Sequence, residues 1–269
     1  MGMVGAKKSI TMKELISEVY NEDCMQLMAR YPDNYFDLAV VDPPYGINAP
    51  NMTMGSNPNR SGVDKNGQIQ YGSISVAQKL KKGRLNAGSV KLKNRNLNTM
   101  NCDWDFEKPS SEYFDQLFRV SKNQIIWGGN YFDLPPCRGF IIWNKNQPWE
   151  NFSQAEFAWT SFDSPAKLFT FSNRGGSNEE NKIHPTQKAI ELYDYCFSRF
   201  AKQGMKILDT HLGSGSSRIS AYKAGLDFTA CELDTEYFND QDARFKEFVA
   251  KYAPADIEPM TKEGQTKLF

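Results

Sequence analysis

Histidine and cysteine are scarce in this chain, and the few present do not cluster. Two histidines and five cysteines (Cys24, Cys102, Cys137, Cys196, Cys231) occur in 269 residues, with no C-x-x-C pair. That excludes a zinc-ligand pattern and a disulfide framework, and fits a reducing compartment. Net charge is lacking too, since 32 basic residues balance 32 acidic ones. No global basic field argues for nucleic acid, so any attraction to a polyanion must come from a local patch. No apolar run approaches the ~18 residues of a membrane span. The first residues show neither a secretory apolar region nor the serine or threonine that a myristoylation signal needs after Gly2. These absences favour a cytoplasmic protein without membrane contact. No internal repeat is visible, and the length suits one α/β domain with an insertion.

What is present centres on Leu38-Ala-Val-Val-Asp42-Pro43-Pro44-Tyr45-Gly46. Four apolar residues read as a buried parallel strand, because strands covered on both faces are near-continuously apolar. Two prolines cannot continue a ladder, since they lack N–H donors and fix φ. Asp42 and Tyr45 are therefore expected on a stiff turn at the carboxyl end of a strand, where open α/β sheets bind ligands. Glu18-Val-Tyr20 reads as an earlier strand, followed by Asp23-Cys24 and a short helix that Asp23 can cap. Further strands are expected at 124–127, 140–143, 155–159, 168–171, 205–209 and 227–231. Helical patterns follow Pro109, Lys188 and Ser217, and another runs from Leu233 to Tyr252. This alternation argues for an α/β sheet.

The strand ending at Asp209 runs into Thr210-His-Leu-Gly213-Ser-Gly215-Ser216-Ser217 and a helix. A strand, a glycine turn and a helix N-terminus can hold a nucleotide-like ligand closely. Arg218 stands where the dinucleotide fingerprint has its third glycine, which disfavours a nicotinamide dehydrogenase. Glu232 ends the next strand, a position from which an acid accepts hydrogen bonds from ribose hydroxyls.

Residues 46–102 differ in kind, being rich in Asn, Gly, Ser and Lys. From Lys79 to Arg95 there are seven basic residues (Lys79, Lys81, Lys82, Arg84, Lys91, Lys93, Arg95) and no acidic one. A solvated loop is the bland reading. Placed directly after the Asp42 turn, the run is expected to contact DNA, because clustered Lys and Arg release counterions from phosphates. Residues 253–269 read as a polar, flexible tail.

Asp42-Pro43-Pro44-Tyr45 resembles the catalytic motif of DNA amino-methyltransferases, which use S-adenosyl-L-methionine. His184-Pro-Thr186-Gln-Lys188 resembles a marker of the same family beside its cofactor site, with Ala189 where the family carries proline. Asp209-x-x-x-Gly213-x-Gly215 resembles the family's cofactor motif, with Thr210-His211 in place of Pro-Phe. The order Asp42, His184, Gly213 resembles the group called beta, over about residues 15–250. The resemblance implies a Rossmann-like, mostly parallel seven-stranded sheet with helices on both faces and a permuted motif order. It implies a single methyltransferase domain over 1–269, interrupted by the inserted segment. It implies cofactor contacts from Asp23, Cys24, Asp42, Thr186, Lys188, Asp209, Gly213, Gly215, Ser216, Ser217 and Glu232. Catalysis falls to Asp42, Pro43, Pro44 and Tyr45.

An exocyclic amino group is a poor nucleophile, because its lone pair is delocalised into the ring. Asp42 and the Pro43 carbonyl can accept its hydrogens, after which in-line transfer needs mainly positioning and electrostatics. No metal or covalent nucleophile is required. The base must leave the duplex, and Tyr45 is placed to stack on it. Relatives acting on cytosine N4 more often carry serine at the Asp42 position, so adenine N6 is the expected target, with cytosine N4 as runner-up. RNA or protein methylation and a non-catalytic DNA-binding module stand behind these. Double-stranded DNA is the expected partner, with residues 46–101 supplying much of the specificity. Gln265-x-x-Leu268-Phe269 resembles the peptide that docks on bacterial sliding clamps. A homodimer stays open, as do solitary, phage-borne and restriction-paired roles.

Overall fold

The computed structural model describes residues 15–47, 62–63, 69–70, 105, 107–147, 153–172, 183–184 and 186–252. The basic residues Lys79, Lys81, Lys82, Arg84, Lys91, Lys93 and Arg95 lie outside the described residues, as do Gln265, Leu268 and Phe269. In chain order the elements are β1 (Ser17–Tyr20), α1 (Cys24–Ala29), β2 (Leu38–Val41), β3 (Gly62–Val63), β4 (Ile69–Gln70), α2 (Ser111–Val120) and β5 (Gln124–Trp127). Then come a 3-10 turn (Gly129–Tyr131), β6 (Phe140–Asn144), β7 (Ala155–Thr160), β8 (Lys167–Thr170) and α3 (Ile190–Phe200). The last are β9 (Lys206–Asp209), α4 (Ser216–Lys223), β10 (Asp227–Cys231) and α5 (Thr235–Lys251).

Eight strands form one sheet in the order β1-β10-β9-β2-β5-β7-β6-β8, and β3 and β4 form a separate antiparallel pair. The sheet is mostly parallel, as expected, but has eight strands where the resemblance implied seven. Lys167–Thr170 supplies the edge strand, parallel to β6 with Leu168 opposite Ile142. Its residues alternate between half-buried and exposed, as an edge strand with one covered face should. Within this sheet β7 pairs antiparallel with both β5 and β6, while the other described pairings are parallel. Seven strands therefore run one way and β7 alone runs against them.

The continuous apolar runs of the central strands have a direct cause, because both faces are covered. Leu38, Val40, Ile125, Trp127 and Ile207 share one core with Leu192, Tyr193, Cys196 and Phe197 of α3. Ala39, Val41, Ile126 and Leu208 face the other, with Leu27 and Met28 of α1 and Tyr113, Phe114, Leu117 and Val120 of α2. Alternate residues of one strand thus enter opposite cores, the period-2 rule acting on a sheet with no wet face. Each fully buried large side chain contributes roughly 1.5–3 kcal/mol. Among the described residues, no helix is long and apolar enough to cross a membrane.

Candidate active site

Strands β1, β10, β9 and β2 are neighbours, run parallel and end at one edge of the sheet. Each delivers an acid there. Asp23 lies three residues past β1, Glu232 directly follows β10, Asp209 closes β9 and Asp42 directly follows β2. Permuted chain order hides this row, which the sheet restores.

The glycine turn occupies the middle of the row. Gly215, at φ +75°, is the N-cap of α4, and a Cβ there would lie 3.1 Å from Gln241 Cβ. Glu232 Oε2 accepts from the Gly213 N–H at 2.8 Å, and Oε1 from the Asp234 N–H at 2.9 Å. Asp209 Oδ2 accepts from the Ser217 hydroxyl at 2.6 Å, and Oδ1 from the His211 N–H at 3.1 Å. Burial pushes the Asp209 carboxyl up to about 7 despite those two bonds.

The Ser216 hydroxyl donates to the Lys188 carbonyl at 2.8 Å, which stitches the His184–Lys188 segment to the turn. Thr186 Oγ1 lies 3.1 Å from His184 Nδ1 instead of capping α3, whose N-cap is Ala189. Burial, then the Lys188 charge, lowers His184 to about 3, so its ring is neutral. Asp23 does cap α1, accepting from the Met25 N–H at 2.8 Å, which commits one of its oxygens. Burial raises the neighbouring Cys24 to about 12, so it is a thiol and not a nucleophile.

S-adenosylmethionine presents a sulfonium, an ammonium and ribose hydroxyls. A row of carboxylates beside a glycine turn supplies the acceptors and the close backbone approach such a ligand needs. This set of acceptors therefore fits, and Glu232, Asp209, Asp23 and the Gly213–Ser217 turn are the residues that could hold it.

Asp42 sits at the next position of the row. Its Oδ1 accepts from the Tyr45 hydroxyl at 2.5 Å, and its Oδ2 is ion-paired with the Lys188 ammonium. Lys188 Nζ also lies 3.2 Å from the Tyr45 hydroxyl and 3.3 Å from Glu156 Oε2. Glu156 is paired in turn with Lys145 at 2.5 Å. The Asp42–Tyr45 turn is closed by Asp105, whose Oδ1 accepts from the N–H groups of Tyr45 (2.7 Å) and Gly46 (3.1 Å).

The Tyr45 ring stacks on Tyr131, with centroids 4.9 Å apart and planes 16° apart. It also covers Gly128, where φ is +71° and a Cβ would lie 2.1 Å from Tyr45 Cε1. An open cleft of about 560 Å³ adjoins this stack, lined by Tyr45, Gly46, Glu107, Lys108 and Tyr131.

The structure thus brings Asp42, Tyr45 and Lys188 together, and separately gathers Asp209, Gly213, Gly215, Ser216, Ser217 and Glu232. Lys188 was expected among the cofactor contacts. Its carbonyl does meet the glycine turn, but its ammonium lies on Asp42. Sequence reasoning missed Glu156, Lys145, Asp105, Gly128 and Tyr131. The doubled glycine before Asn130-Tyr131, directly after a strand, was a usable signal for the last two.

The chain is similar to known proteins. The family model described as DNA methylase matches residues 36–243. The Type II methyltransferase M2.MboI of Moraxella bovis is 22% identical over 252 residues, covering 85% of this chain and 87% of that protein. The Type II methyltransferase M.BglII of Bacillus subtilis is 21% identical over 252 residues, covering 84% and 68%. The fold is shared with the solved PvuII DNA methyltransferase, a cytosine-N4-specific protein, at a TM-score of 0.51 and 12% identity over 90% of this chain and 91% of that one. With a match that spans most of the chain and takes in both motif turns, the chain belongs to the DNA methylase family, S-adenosylmethionine-dependent enzymes that methylate an exocyclic amino group, N6 or N4, in DNA.

Proposed function

We propose that this protein methylates the N6 amino group of adenine in double-stranded DNA. The observation that carries the reading is the Asp42 carboxylate, held at the carboxyl end of β2 with Tyr45 beside it and the open cleft adjoining. Asp42 accepts one hydrogen of the amino group and the Pro43 carbonyl the other. This favours lone-pair density on the nitrogen that attacks. The cofactor supplies an electrophilic methyl group. Once that nitrogen carries the methyl it becomes acidic, and Asp42 is the nearest acceptor, so a strong base is not needed. The base reaches Asp42 by leaving the duplex through the cleft, and Tyr45 stacks on it in place of Tyr131.

In the same reading Glu232 takes the ribose hydroxyls and Asp23 lies near the cofactor's adenine. Cys24, Thr186, Asp209, Gly213, Gly215, Ser216 and Ser217 line the rest of that site. The inserted segment 46–102 contacts DNA through its basic run and reads much of the sequence. Similarity to Type II methyltransferases supports a restriction–modification setting, with DNA in the cytoplasm or nucleoid as the substrate. Docking of Gln265, Leu268 and Phe269 on a sliding clamp is a further part of the reading.

Cytosine N4 is the second reading. Nucleoside mass spectrometry of unmethylated DNA incubated with the protein and S-adenosylmethionine separates the two. N6-methyladenine is the expected product. N4-methylcytosine would reverse the base assignment, and neither product would overturn the function.

A further inference from the structure

Because β7 runs against the other strands, its first residues reach the edge where the others end. Glu156 is the second residue of β7, opposite Trp143. Its carboxylate lies between two ammonium groups, 2.5 Å from Lys145 Nζ and 3.3 Å from Lys188 Nζ. Lys188 touches Asp42 and the Tyr45 hydroxyl on its other side. The chain Lys145–Glu156–Lys188–Asp42 alternates in sign and sums to zero.

We propose that Glu156 is a positioning residue for methyl transfer, offering its buried Oε2 as a second seat to which the Lys188 ammonium, which rests on Asp42 in this structure, passes when the target amino group takes its place. The inference rests on Asp42 being the acceptor of that group. A buried ammonium with one carboxylate closes onto it. A neutral amino group is a weaker donor than an ammonium and cannot displace it, since charge-assisted hydrogen bonds are roughly twice as strong as neutral ones. A second carboxylate on the far side divides the ammonium's attraction. Lys145 then balances the added charge, as a buried cluster requires.

The ionisation of both residues agrees with this geometry. Burial works against the charge on Lys188, but Asp42 and Glu156 outweigh it and its pKa is raised. Burial works against the charge on Glu156 likewise, but Lys188 and Lys145 outweigh it and its pKa is lowered. Lys188 is also anchored by its carbonyl to Ser216 of the glycine turn. One residue thus joins the two halves of the site, and Glu156 gives its ammonium a second resting place beside Asp42.

The test uses the full chain with Glu156→Gln, Lys188→Met and the double variant. Methyl transfer from labelled S-adenosylmethionine to DNA is followed at saturation of both, with the DNA KM and cofactor Kd measured separately. Labelled counts register methylation of either base, so a wrong base assignment leaves this test standing. Glu156→Gln is expected to lower kcat about 10- to 100-fold, the worth of a charge-assisted hydrogen bond. The DNA KM and cofactor Kd should stay within about twofold, because DNA affinity comes mainly from phosphate contacts. In the Lys188→Met background, Glu156→Gln should cost nothing further. A wild-type kcat in Glu156→Gln, or losses that multiply in the double variant, would overturn the proposal. If the glutamine variant fails to fold, Glu156→Asp, which withdraws the carboxylate by one methylene, must show the same loss of kcat at constant KM.

Discussion

The Tyr45 hydroxyl donates to Asp42 Oδ1 across 2.5 Å, within a single turn that Asp105 closes from the far side of the insertion. Burial, then the Asp42 charge, holds the Tyr45 phenol well above its ordinary pKa, so it is a permanent donor. Tyr45→Phe keeps the ring and loses that bond. It should lower kcat about 3- to 10-fold, the worth of one hydrogen bond. Tyr45→Ala loses the stacking surface as well, worth about 1–3 kcal/mol, and should cost a further 10-fold or more. Steady-state rates on one duplex check this, and equal losses in the two variants would contradict the stacking role.

Gly128 is the floor of the same ring. Alanine there meets Tyr45 Cε1 at 2.1 Å and must hold φ at +71°. Gly128→Ala should destabilise the fold by about 1–3 kcal/mol, the usual cost of overpacking. It should lower turnover more than it weakens cofactor binding, because the displaced ring belongs to the Asp42 turn. Denaturant unfolding and cofactor titration separate the two effects.

Asp209 gives a pH dependence of stability. Its folded pKa of about 7 lies above the ordinary value of about 3.9 for an unfolded aspartate. A raised pKa means that the folded state binds the proton more tightly. Its stabilising contribution is complete below pH ~4 and is lost as pH rises through ~7, over a range worth a few kcal/mol. Asp209→Asn cannot ionise. The wild type should lose stability between pH 5 and pH 8 by a margin that the variant does not show, as read from urea midpoints. Equal pH dependence in both would mean that Asp209 is not buried as a neutral acid.

Much of this arrangement was legible in the residues. Eight apolar segments marked eight strands, and the seven-stranded count came only from the resemblance. Asp42, Asp209 and Glu232 declared themselves by following such segments, because a parallel strand that ends in an acid presents it at the ligand edge. Glu156 gave no such signal. It stands near the start of a strand, and only the reversed direction of β7 carries that start to the same edge. Direction is decided by pairing with distant strands, which local pattern does not encode. Lys188 was legible as part of a motif but not in its partner, since Asp42 lies 146 residues away. Asp23 shows the opposite case, where the local role of helix cap was readable and is what the structure contains.

The basic run Lys79–Arg95 carries a prediction of its own. Neutralising its seven basic residues should weaken DNA binding and flatten its salt dependence. Each lost phosphate contact lowers the slope of log affinity against log salt by about 0.9. Binding measured across a salt series checks this, and an unchanged slope would remove the run from the interface.

The proposed chemistry rests on Asp42. The most direct measurement is methyl transfer by Asp42→Ala at saturating DNA and S-adenosylmethionine, beside calorimetric titration of the cofactor. Methylation should be abolished while cofactor affinity stays within a few fold, because Glu232 and the Gly213–Ser217 turn are untouched. Loss of cofactor binding with unchanged turnover at saturation would contradict the role of Asp42 as acceptor of the target amino group.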